Sequence, residues 1–148
     1  IEDGAKNFRA FISEELMLEI NKRYRTLNKK GIIGESAAGL FVMETFLINP
    51  ETFDFYIAID PSLCWNNHYL VKNSSNFLAN FPDKELKLWF AGSDAKDIST
   101  YSNQLADNLA TSASNKITWK YSDEPNEKHN TIFRATKEKA LKWILNKN

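Results

Sequence analysis

The chain has 148 residues, 43% of them hydrophobic and 13% aromatic, with 5 glycines and 4 prolines, which excludes disorder and low-complexity or collagen-like structure. Lys plus Arg and Asp plus Glu both number 19, so no net basic charge draws the chain to nucleic acid or to an anionic membrane surface, and a small-molecule partner is the simpler expectation. A single cysteine, Cys64, and two histidines, His68 and His129, exclude an intrachain disulfide and a cysteine-based metal cluster and argue against structural zinc; no metal and no cofactor are expected.

The length fits one domain of the usual ~100–200 residues. No apolar run approaches the roughly 18 residues that a membrane span needs. No signal peptide is visible, but the first residue is Ile1 rather than Met. A removed leader or upstream region would leave localisation open between cytoplasm and periplasm or secretion.

In chain order, Phe8, Phe11, Ile12, Leu16, Leu18, Ile20 and Tyr24 recur at helical intervals among charged residues, predicting an amphipathic helix over about residues 5–24. "GII" makes a short apolar strand, and "GLFVMETFLI" (39–48) is apolar on nearly every side, as in a helix buried against a sheet. Asn49-Pro50 ends it, because proline disfavours a helical residue before it. "FYIAID" reads as a buried strand, "SLCWNN" as a loop and "KLWFAG" as another buried strand. "ISTYSNQLADNLATSA" is a helix, "KITWKY" a strand, "SDEPNEKHN" a polar loop and "TIFRATKEKALKWIL" the closing helix. Strands alternating with helices, all four strands reading as interior, predict an α/β fold: a mostly parallel sheet with helices on both faces.

"GESAAG" (34–39) lies between the first strand and the buried helix, the setting of a G-x-S-x-G nucleophile elbow. There the nucleophile's backbone is strained, and its neighbours two residues away must be small; here they are Gly34 and Ala38. Ser36 is the candidate nucleophile, against the alternative of a simple helix N-cap. A serine hydroxyl needs a base, and the base needs an acid to fix its tautomer. On this architecture the order is serine, acid, histidine. His129, in the loop after the last strand, is the candidate base, since His68 follows the wrong strand. Asp94, just beyond "KLWFAG", is the candidate acid, with Asp97 second and Asp123, Glu124 and Glu127 as solvated alternatives. The backbone N–H of Ala37 is a candidate oxyanion donor; a second is expected from a loop after an earlier strand.

The run "IGESAAGLFVMETFLINPETFDFYIAIDPSLCWNN" resembles the putative esterase family of the α/β-hydrolase superfamily, which includes enterobactin esterase-like and esterase D-like enzymes. Members carry a histidine in place of Glu35, two glycines in place of Ala38 and Gly39, an apolar helix ending in "NPELF"-like residues, and a "SPSLWW"-like loop where this chain has Asp60-Pro61-Ser62-Leu63-Cys64-Trp65. The likeness continues through "WFAGSD" to "EKHN". It implies carboxylic-ester hydrolysis through an acyl-enzyme on Ser36, His129 and Asp94, with the acid the least fixed of the three because some members work with a Ser–His pair. It also implies substrate contacts at Leu63, Trp65 and Asn66, with a packed core aromatic as the alternative for Trp65; where the chain departs from the family, the Glu35 carboxylate beside the nucleophile is expected to disfavour negatively charged substrates.

The family's domain is longer. The chain is therefore expected to be the C-terminal half of an α/β-hydrolase domain, pairing with the missing half or forming a homo-oligomer, because a half sheet leaves an apolar edge strand open. Two other readings stand beside the esterase: an acyltransferase or thioesterase using the same triad, and a catalytically silent α/β-hydrolase-like binding module, suggested by Glu35, Ala38 and the missing half.

Overall fold

A computed structural model describes residues 2–146, which separate into two units, one ending at Lys30 and one beginning at Gly31. The first is a continuous helical run: α1 (Glu2–Ala10), a π-helical stretch (Phe11–Leu16) and α2 (Met17–Arg23). It begins a little before the predicted helix and ends within a residue of it. The right-handed backbone continues through Ala10 and Leu16, so the wider π turns interrupt the hydrogen-bond pattern but not the helix. Tyr24, extended at φ −130°, ends it.

The second unit is built on a four-stranded parallel sheet in the order β1 (Gly31–Glu35), β2 (Phe55–Ile59), β3 (Leu86–Gly92), β4 (Ile117–Asp123). The strands are joined by α3 (Ser36–Ile48), α4 (Trp65–Ala79) and α5 (Lys96–Ser112), and α6 (Ile132–Leu145) follows β4. Right-handed crossovers that step in one direction across a sheet keep their helices on one face. The packing agrees. Phe46 of α3 meets Tyr56 edge-on at 5.3 Å, and α4 is tied to α5 by Asn108 Nδ2, which donates to Val71 O and Ser74 Oγ. α6 covers the opposite face, where Ile132, Ala140 and Ile144 pack with Ile57, Ile59, Trp89 and Ala91. This is the α/β arrangement that the alternating pattern predicts.

The expectation that all four strands are interior is corrected at β4, whose Thr118 and Lys120 are exposed. Only β2 and β3 are buried on both faces. β1 and β4 are the sheet's edges among the described residues, with Ile33 42% exposed and Thr118, Lys120 and Asp123 exposed. Pattern alone also assigns no helix to α4, because Asn73, Ser74, Ser75 and Asn76 interrupt its apolar periodicity. Leu70, Val71, Ser74 and Leu78 nevertheless form its buried stripe. Ser74 is admitted there because its hydroxyl donates to Val71 O at 2.9 Å.

Candidate active site

The sheet register brings the ends of neighbouring strands together. Glu35 is level with Ile59 and Ile59 with Ala91, so the next residues, Ser36, Asp60 and Gly92, emerge side by side at the carboxyl edge, where parallel sheets carry their ligand sites.

Ser36 opens α3 with φ 56°, a left-handed conformation that costs a non-glycine residue energy and is seen where structure overrules it. Two close approaches hold this turn. A Cβ on Gly34 would lie 2.5 Å from the Ala38 carbonyl carbon and oxygen, and one on Gly39 would lie 3.1 Å from Pro61 Cα. At position 38 itself an alanine is accommodated. The resulting helix start leaves the first N–H groups of α3, that of Ala37 among them, without intrahelical acceptors and at the positive end of the helix dipole.

Ser36 Oγ lies 3.1 Å from His129 Nε2, and His129 Nδ1 lies 2.6 Å from Asp60 Oδ2. A carboxylate only accepts, so Nδ1 carries the proton and donates it, and Nε2 is left to accept from the Ser36 hydroxyl. Asp60 is fully buried. Its backbone is left-handed at φ 47°, although the residue before a proline favours extended backbone. Its two oxygens also accept from Ser93: Oδ1 from the backbone N–H at 2.9 Å and Oδ2 from the hydroxyl at 2.7 Å. Ser62 Oγ is 3.4 Å from Ser36 Oγ, and Ser62 N–H donates to Ser36 O at 3.1 Å.

Ser36 and His129 thus meet, but Asp94 does not join them. Its carboxylate accepts from Lys128, and its backbone N–H donates to Glu127 O at 2.9 Å, so it braces the histidine loop from outside. Asp97 lies in the first turn of α5. The carboxyl group on the histidine is Asp60, at the end of the preceding strand. This corrects the assignment of Asp94, and the reason is the register: a residue directly following β2 is level with Ser36, whereas Asp94 lies two residues past the end of β3.

The expected substrate contacts separate as well. Leu63 is 1% exposed and packs in the core. Trp65 is 56% exposed and Glu35 is half-buried. Asn66, Asn67 and His68 form three successive left-handed residues at the start of α4, with the His68 ring stacked on Tyr101 at 4.6 Å. Among the described residues no group of three or more His, Cys, Asp or Glu side chains is placed to hold a metal ion, and no helix is long and apolar enough to cross a membrane.

Residues 1–142 match the family described as "Putative esterase". The chain belongs to this family. It is 27% identical over 150 residues to the ferri-bacillibactin esterase BesA of Bacillus subtilis, an alignment covering 96% of this chain and 52% of BesA. A siderophore enterobactin esterase of Emericella nidulans is 30% identical over 80 residues, 51% of this chain and 26% of that protein. Among solved structures, the BES protein from Bacillus cereus is similar with a TM-score of 0.87 and 25% identity, over 97% of this chain and 57% of that one. The chain thus spans about half the length of BesA and of the Bacillus cereus structure.

Proposed function

We propose that these residues carry the catalytic groups of a serine esterase that cleaves carboxylic esters through an acyl-enzyme, with siderophore esters as the substrate class. The observation that carries this reading is the contact chain from Asp60 through His129 to Ser36 on a left-handed turn. Family membership supports the reaction, and the names of the relatives support the substrate class.

Ser36 Oγ attacks the ester carbonyl carbon while His129 Nε2 takes its proton. Asp60 stabilises the imidazolium through Nδ1–H and holds the ring in its orientation. The Ala37 N–H donates to the oxyanion of the tetrahedral intermediate. Collapse breaks the bond to the alkoxy group, which leaves with the proton from His129. Water then attacks the acyl-serine, gives a proton to His129, and the acid product departs as Ser36 recovers it. Trp65, exposed three residues beyond the Ser62 that touches Ser36, offers an aromatic surface beside the reacting ester.

The test is labelling of the full-length polypeptide with a fluorophosphonate, alongside its Ser36→Ala variant, followed by turnover of siderophore and simple aryl esters. Labelling and turnover that vanish with Ser36 are expected. A folded protein that neither labels nor turns over an ester would end the esterase reading.

A further inference from the structure

Ser93 follows β3 directly and is 2% exposed. It sits one residue before the position where sequence order places the acid, and it bears no charge. Its backbone N–H and its hydroxyl reach the two different oxygens of the Asp60 carboxyl group, at 2.9 and 2.7 Å. The same hydroxyl oxygen accepts the N–H of Ala95, just ahead of α5, at 3.2 Å. That acceptance leaves the hydroxyl proton directed at Asp60 Oδ2, the oxygen that also faces His129 Nδ1.

We propose that Ser93 is the positioning residue of the site, a two-pronged clamp that fixes the plane of the Asp60 carboxyl group so that Oδ2 faces His129. The inference rests on the triad reading above for its catalytic consequence, but the clamp itself is a property of the folded chain. A carboxyl group on a single Cα–Cβ stem turns about χ2 with a broad preference. Two donors from one rigid backbone position remove that freedom. Asp60 itself has a left-handed backbone before Pro61, so its own main chain is a poor guarantor of the side chain's direction. The acid's duty thus lies at the end of β2, and the end of β3 supplies its support: Ser93 holds the acid, while Asp94 braces the histidine loop through Lys128. Without the hydroxyl, Oδ2 keeps only the imidazole, and the Ala95 N–H loses its acceptor.

The experiment uses the full-length polypeptide with Ser93→Ala, Ser93→Thr and Asp60→Asn, alone and combined, each checked for folding by thermal unfolding. Ser93→Ala is expected to lower kcat roughly ten- to a hundredfold, the scale of a lost hydrogen bond to a charged group, with KM within about twofold. Ser93→Thr, which keeps the hydroxyl, restores most of it. In the Asp60→Asn background, Ser93→Ala should change kcat less than about twofold, because the clamp then has nothing to aim. An undiminished loss in that background, or wild-type kcat in Ser93→Ala, overturns the proposal. The downfield proton resonance of His129 Nδ1–H gives a readout independent of turnover: present in the wild type, and broadened or lost in Ser93→Ala. An unchanged resonance overturns the clamp even if no ester is ever cleaved, whereas failure of Ser36 to label overturns the esterase reading alone. Should Ser93→Ala not fold, Ser93→Cys, similar in size with a weaker donor, carries the same expectations.

Discussion

Asp60 and His129, 69 positions apart in the chain, meet at 2.6 Å through Oδ2 and Nδ1. Between them they join the mouth of a buried central strand to the loop beyond an edge strand. Asp60 is buried and His129 is partly exposed, so on the proposed triad reading the imidazole is the member open to an ester.

Asp60→Asn should therefore cost far more than Asp94→Asn. An amide at position 60 can donate to Nδ1 and hold the ring in the wrong tautomer, and the expected loss in kcat/KM is on the order of 10⁴. Asp94→Asn loses only an ion pair whose lysine is 70% exposed, and a fall of less than about tenfold is expected. Steady-state kinetics on one aryl ester compares the two. Equal losses would mean that the acid's duty is shared, contrary to the geometry.

Two glycine substitutions should move stability in opposite directions. In Gly34→Ala the new Cβ meets the Ala38 backbone at 2.5 Å, which cannot yield without opening the turn, so a loss of about 1–3 kcal/mol is expected. In Gly4→Ala nothing lies within 4 Å, and alanine favours a helix over glycine by up to about 1 kcal/mol. Chemical denaturation reads the first, and amide exchange across α1 reads the second. A neutral Gly34→Ala would show that the turn relaxes freely.

Two tyrosines with buried hydroxyls give a second contrast. Tyr56 Oη donates to Pro50 O at 2.9 Å and accepts from Phe53 N–H at 3.1 Å, so Tyr56→Phe strands a buried amide and should cost about 1–3 kcal/mol. The Tyr121 hydroxyl is buried with no hydrogen-bond partner among the described residues. Burial, then the charges of Asp123 and Asp60, push its ionisation far above the ordinary range. Tyr121→Phe should leave stability unchanged or raised, because it removes a polar atom that nothing satisfies. Thermal melts of the pair decide it, and a strongly destabilised Tyr121→Phe would reveal a partner for that hydroxyl.

Glu124 makes part of the acid stability predictable. Burial opposes its ionisation, but hydrogen bonds from Lys139 and Ser122 and the charge of Lys139 outweigh burial and hold its carboxyl below the ordinary value of 4.5. A depressed folded-state value contributes stability that is present above the unfolded value and fades as pH falls through the folded one. The stability advantage of wild type over Glu124→Gln should thus be largest above about pH 4.5 and shrink below it. Denaturation curves collected from pH 6 downward test this, and an advantage that grows on acidification would contradict it.

Much of the site is legible in the sequence. Gly34 and Ser36 between a short apolar strand and a long apolar helix announce the elbow, and His129 follows from being in the loop after the last strand. The carboxyl partner of His129 is not legible from chain order, because seven carboxylates follow "KLWFAG", whereas the carboxyl group that emerges level with the serine, Asp60, precedes it. Its signal was local: "FYIAID" ends a buried strand on a carboxyl group that must find donors there, and Asp60 stands where the resembling family's "SPSLWW"-like loop has serine. Leu63 and Trp65 divide in a way that adjacency in sequence does not reveal, one facing the core and the other outward.

By itself the sequence determined the alternation of strand and helix, the small residues that permit a strained turn at Ser36, and the candidate serine and histidine that meet there, because these depend on periodicity, side-chain size and order along the chain. Tertiary structure decided which face each helix covers and which carboxyl group meets His129. Those outcomes depend on the register between strands, Glu35 with Ile59 and Ile59 with Ala91, and register is a property of pairing across the sheet that no single segment carries.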